Sequence, residues 1–240
     1  MAGRRVSDDR CGAQRRGGVG RLGLHVGALA SVAVLMSGCA STVDGTATWP
    51  GAVLERAVLQ SGDFPAGVQY DRIDENAGKP DGADGPGSML SRPQGCANAL
   101  TTVIRRTAER GPGSAAKYSV NFDGARIAMT VLSWNMDLDA IKAEADRCAK
   151  FEVFFDPHSD GIPMATAPLT GVADGALGYQ QTMNLNGAES AGYMVFQNVG
   201  RRALFGLAFP SPNPAISAKA SLPQTFLETF AKQVGKLQAS

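Results

Sequence analysis

The chain has 240 residues, of which 44% are apolar and 19% charged, enough for one packed domain and too apolar for wholesale disorder. Its net charge of +1 argues against a nucleic-acid binder, whose affinity rests on a strong basic excess. Only two histidines occur, which leaves almost nothing from which to build a His-rich metal site or a histidine relay.

Arg4, Arg5, Arg10, Arg15, Arg16 and Arg21, against Asp8 and Asp9, precede the apolar run LGLHVGALASVAVLM at residues 22–36. A basic start, an apolar stretch of this length and the small residues Ser37 and Gly38 predict a secretory leader over 1–38. The run falls short of the about 20 apolar residues of a membrane-spanning helix. Residues 35–39, Leu-Met-Ser-Gly-Cys, resemble a bacterial lipobox, with Met36 where Leu is usual. The resemblance implies that Cys39 becomes the mature N-terminus and carries a diacylglyceryl group. Two or three acyl chains anchor firmly, at about 0.8 kcal/mol per buried methylene. The expected location is the outer, extracytoplasmic face of the cell membrane, tethered by lipid and not spanning it. Loss of six arginines and two aspartates with the leader leaves a net charge of −3. Cys11 departs with the leader and Cys39 is acylated. Cys96 and Cys148 remain as an even pair in an oxidising compartment, and a disulfide between them is expected, contributing about 4 kcal/mol by loop-closure entropy.

Residues 39–52 are small and polar and read as a tether, with Trp49 docking on the domain; residues 53–240 read as one α+β ectodomain. A short helix is predicted over 53–60, a turn over 61–67 (SGDFPAG) and an alternating strand over 68–73. Residues 76–92 are rich in Gly, Pro and Asp and read as a disordered loop. A helix over 93–109 follows, with Ser91 as N-cap, Pro93 in the first turn, and Cys96, Leu100, Val103 and Ile104 on one face. Strands at 118–122 and 126–134 flank Asp123-Gly124, a hairpin signal. Asp137 is the expected cap of a helix over 138–150, so the bridge would staple two helices on one face of a sheet. Further strands are predicted at 151–155, 164–169, 179–184, 191–199 and 202–209, with Asn186-Gly187 as a turn. The last helix shows Ser221 and Gln224 as a capping box, Pro223 in the first turn and an apolar stripe of Phe226, Leu227, Phe230, Val234 and Leu237. The expected fold is a twisted, mostly antiparallel sheet of about six to seven strands with three substantial helices packed on it.

Enzyme signatures are absent. The nearest approach to a nucleophile elbow, residues 188–192 (AESAG), lacks its first Gly and sits in a hairpin. No P-loop, dinucleotide fingerprint or Cys-x-x-Cys occurs. His158, in the sequence DPHSD at 156–160, is the sole histidine beyond the leader and the one group on which a hydrolytic site would turn; Asp and Gly there read more simply as a polar turn. Asp81 and Asp84 lack the spacing of a calcium loop, and no metal or cofactor is expected. Arg105-Arg106 and Arg201-Arg202 read as exposed surface. Trp134, Phe151, Phe154, Phe155, Phe205 and Phe209 are core aromatics first, with Trp134, Phe154 and Phe205 as the candidate walls of an apolar ligand groove.

The lipobox, the DFPAG turn at 63–67, the Pro-x-x-Cys start at 93–96 and a second Cys just before Phe151 occur together. In this combination the chain resembles the small cell-envelope lipoproteins of mycobacteria and related actinomycetes, an uncharacterised family. Their ectodomains are similar to the extracellular sensor domain of a mycobacterial receptor Ser/Thr kinase. Across most of 53–240 the resemblance implies a secreted α+β domain with an antiparallel sheet, a disulfide and a ligand-binding cleft. It carries over Cys39 as the lipid site and Cys96 with Cys148 as the bridge. The kinase sensor has two disulfides and this chain can form one, so the cleft is not carried over. The expected function is a lipid-anchored, non-catalytic binding or sensor-like module whose ligand is an envelope lipid, glycan or protein. A carrier of envelope lipids and an envelope hydrolase using His158 are the alternatives.

Overall fold

A computed structural model of the chain describes residues 50–73, 89–107, 113–185 and 187–240, with the side chains of 50–52 and 105–107 excepted. The expected leader, Cys39, Trp49, Asp81, Asp84 and the side chains of Arg105 and Arg106 lie outside the described residues, as does most of the 76–92 stretch.

The first helix, α1, is Pro50–Ala57, so it begins within the stretch read as tether. A 3-10 turn at Ser61–Asp63 leads to strand β1, Gln69–Ile73, and then to β2, Leu90–Arg92. Another 3-10 turn, Cys96–Asn98, opens helix α2, Ala99–Thr107. The hairpin β3 (Ala115–Phe122) and β4 (Gly124–Leu132) precedes helix α3, Leu138–Arg147. Five strands come next in succession: β5 Lys150–Phe154, β6 Ile162–Pro168, β7 Ala176–Leu185, β8 Ala188–Val199 and β9 Arg202–Ser211. Helix α4, Gln224–Gln238, ends the chain.

All nine strands join one antiparallel sheet, in the order β1-β3-β4-β9-β8-β7-β6-β5-β2. After the β3–β4 hairpin, α3 carries the chain to the far side, and the β5-to-β9 meander returns until β9 pairs with β4. Among the described residues, nine strands and four α-helices correct the expectation of six to seven strands and three helices. The strand with no counterpart in the sequence reading is β2, three residues paired with β5; α1 is the short helix predicted over 53–60, begun three residues earlier.

Side chains alternate across the pleat and so create two cores. Ile127, Met129 and Val131 of β4 join Leu54 and Ala57 of α1 and Phe226, Phe230 and Leu237 of α4. Leu132 and Phe205 point the other way and pack with Leu100, Val103 and Ile104 of α2 and Ile141 and Ala145 of α3. The sheet is thus covered by helices on both faces, α1 and α4 on one and α2 and α3 on the other.

The Cys96–Cys148 disulfide is present, with Cα atoms 5.4 Å apart. The bridge itself is as expected, but it joins the 3-10 turn before α2 to the residue that closes α3, where the sequence reading places both cysteines within helices. Asp137 caps α3, its Oδ1 accepting from the Ala140 N–H at 2.9 Å. Two other helix starts differ from the sequence reading. Gly95 has φ 84°, in the left-handed region, so no helix runs from Pro93 through it. Ser91 still caps the 3-10 turn beyond it, accepting from the N–H groups of Cys96 and Ala97. At α4 the capping box is replaced: the Ser221 N–H donates to Thr225 Oγ1 at 3.0 Å, and the Gln224 amide donates to Glu228 instead.

Candidate functional site

The three proposed groove aromatics do not meet. Trp134 and Phe205 are buried together in the core beneath α2 and α3. Phe154 lies on β5, four strands from β9, about 19 Å at the usual strand spacing. Its pleat parity also differs. Phe151 and Val153 of β5 face the disulfide, so Phe154 projects from the opposite face. There the Arg92 guanidinium lies 5.4 Å from its ring centroid.

His158 occupies an exposed turn whose polar groups satisfy one another. Its own N–H donates to Asp156 Oδ1 at 2.8 Å, and Ser159 Oγ donates to the Asp156 carbonyl at 2.9 Å. Arg202 holds the chain end through Ser240 Oγ and the Ser240 carbonyl, both at 2.7 Å. Among the described residues no group of three or more His, Cys, Asp or Glu is placed to hold a metal, and no helix is long and apolar enough to cross a membrane.

Three of the concavities on the surface of the described residues are candidate sites. One, of about 110 Å³, lies over the disulfide between the Cys96–Thr101 segment and the sheet, with Met194, Leu207 and Phe209 as apolar walls. Its polar rim is already paired: Thr101 Oγ1 donates to the Asn98 carbonyl, and the Gln181 amide donates to Thr166 Oγ1. A second, of about 460 Å³, is a trough on the face of β5, β6 and β7 away from the disulfide, and it carries both charge signs in Arg92, Lys150, Glu152 and Glu189.

The third, of about 310 Å³, runs along α4. Leu227, Phe230, Val234 and Gly235 of α4 form one wall, and Gly171, Val172 and Ala173, between β6 and β7, form the other. Val195 and Gln197 of β8 form its floor, two residues apart and therefore on the same face of the strand. Its volume lies in the range of about 300–1,000 Å³ typical of small-molecule sites. Among the described residues, no charged or titratable side chain lines it. Gln197 Oε1 is buried and has no hydrogen-bond partner, in a lining whose other polar side chain is the exposed Gln238. The clear pKa shifts lie outside this groove: burial raises the Tyr118 hydroxyl, and hydrogen bonds from the Lys236 ammonium and the Gln60 N–H lower the Asp63 carboxyl.

The sequence reading passes over Gln197. Its signal is an amide at an inward position of the alternating run Tyr193, Val195, Gln197, Val199. Its neighbour Asn198 faces the other side and is fully used, bonding both the N–H and the carbonyl of Met136.

No protein-family model matches the chain, and no curated protein matches it. Among solved structures it is similar to an uncharacterised protein from Mycobacterium smegmatis, the Rv0999 ortholog. The two share 12% identity and a TM-score of 0.44, over 79% of this chain and 95% of that one.

Proposed function

We propose that this protein is a lipid-anchored binding module at the outer face of the cell membrane, and that its ligand is an uncharged apolar molecule held in the groove along α4. The groove carries the reading, because it combines ligand-sized volume, uncharged walls and one buried polar atom. The leader, the lipobox-like residues 35–39 and the Cys96–Cys148 disulfide support an extracytoplasmic location, where disulfides persist. Cys39 is the anchor and the membrane the first partner. The groove favours a binding module over a bulk lipid carrier. At about 310 Å³ it lies near the lower end of the size range of small-molecule sites, small for a carrier that encloses whole lipids. A hydrolase centred on His158 would work from an exposed turn that lines none of the three concavities.

Mass spectrometry of the protein purified from its native membrane tests this. An apolar small molecule should co-purify with the wild-type chain and be lost from Gly235→Leu, which fills the groove from a position where an added Cβ meets no atom within 4 Å. Equal yields of the same molecule from both proteins would overturn the site, and labelled palmitate retained by Cys39→Ala would overturn the anchor.

A further inference from the structure

Gln197 Oε1 is sealed from solvent and without a hydrogen-bond partner, and its side chain lines the α4 groove. A buried acceptor left unpaired is costly, and native proteins keep few of them. The last torsion of a glutamine is soft, so rotation about it can carry this oxygen to the groove that the side chain lines. Everything else in the lining is apolar, apart from Gln238 at the exposed end of the helix. From this we infer that the groove selects an aliphatic alcohol: an uncharged chain of medium length whose hydroxyl donates to Gln197 Oε1. This deepens, and rests on, the reading of the α4 groove as the ligand site.

The absence of charge in the lining decides against two neighbouring classes. A fatty acid would bring a carboxylate beside an unpaired carbonyl oxygen with no cation in the lining, and an alkyl ammonium would find no anion there. A plain hydrocarbon would fill the groove and leave Gln197 as it is. An alcohol supplies the missing donor and adds no charge.

The test uses two isomers of one composition, n-decanol and methyl nonyl ether, which match in size and differ in the donor. Each is titrated against the full-length chain and followed by NMR at the Gln197 side-chain amide and the Phe230 ring. Wild type should prefer n-decanol about tenfold, the value of one well-made hydrogen bond. Gln197→Met, which keeps the length and removes the acceptor, should bind both isomers alike. Equal binding of the isomers by wild type, with water satisfying Gln197, would overturn the alcohol assignment and leave the apolar site standing. A preference that survives in Gln197→Met would overturn the role of Gln197. Failure of both isomers to bind would overturn the site itself.

Discussion

Gln233, in the middle of α4, is bonded to Leu59, 174 residues earlier in the chain: its Oε1 accepts from the Leu59 N–H at 2.9 Å. The other end of the same amide donates to the Ala57 carbonyl at 2.7 Å. Gln233 is fully buried, and so are Ala57 and Leu59. The last helix therefore closes the end of the first, satisfying backbone groups that a helix C-terminus otherwise leaves open. Gln233→Met should unpair two buried backbone groups and cost about 2–4 kcal/mol. Gln224→Met, at an exposed position of the same helix, should stay within about 0.5 kcal/mol. Urea midpoints at unchanged m-value read both. A loss for Gln233→Met no larger than the Gln224→Met control would contradict the closure.

The disulfide closes a loop between positions 52 residues apart and is buried with Ala99, Phe151, Val153 and Ile162. Cys96→Ala with Cys148→Ala should lower stability by about 2–4 kcal/mol. The damage should concentrate where α2 and α3 lie on the sheet. The α4 groove is on the opposite face and should keep its ligand under reducing conditions. Hydrogen exchange of α2 and α3 against α4 distinguishes this from uniform loosening, which would count against two separately held faces.

The hairpin at Asp123-Gly124 and the helix capped by Asp137 can be read from sequence because their signals are local: a turn pair between alternating residues, and an oxygen three residues before the N–H it accepts from. Strand β2 cannot. Three residues with Leu90 and Arg92 exposed carry too little alternation to register, and Pro93 comes directly after them. The groove aromatics fail for a related reason. Pleat parity can be read within one strand, but β5 follows β4 in the chain and lies at the far side of the sheet. Only the pairing order shows that Phe154 and Phe205 stand on different faces and four strands apart. Gln197 and Gln233 are legible only as amides at inward positions, and the one that is bonded cannot be told from the one that is not until α4 is in place.

Asp63 ties the turn after α1 to α4. Its Oδ2 accepts from Lys236 Nζ at 2.8 Å and from the Gln60 N–H at 2.7 Å, while Lys232 donates to its carbonyl. These contacts lower its pKa from the ordinary 3.8. The depressed folded-state value means that the stabilisation is fully present above the unfolded-state pKa and is lost as pH falls through the folded one. The pair is about one-third exposed, which limits its worth to about 0.5–1 kcal/mol. Asp63→Asn should show that deficit at pH 7, and the gap to wild type should close below about pH 3.8. A gap that stays constant from about pH 7 to about pH 2.5 would show that the carboxylate charge contributes nothing.

Two glycines face α4 from opposite circumstances. Gly206 on β9 lies under the helix, and a Cβ there would sit 2.8 Å from both Met129 Sδ and Phe226 Cε2 and 3.1 Å from Phe230 Cδ2. Phe226 has no exposed surface into which to move. Gly206→Ala should therefore push α4 off the sheet and cost about 1–3 kcal/mol. Gly235 lies on α4 itself, where a Cβ meets nothing within 4 Å and the backbone is helical. Gly235→Ala removes unfolded-chain freedom at no steric cost and should stabilise by about 0.5–1 kcal/mol. Both substitutions add one methyl group at the same helix–sheet layer, so helix propensity and packing space, not apolar area, decide the opposite signs. Thermal melts of the two variants, with n-decanol added to Gly235→Ala to check that the groove still accepts a chain, would refute this packing account if both methyl groups stabilised the fold.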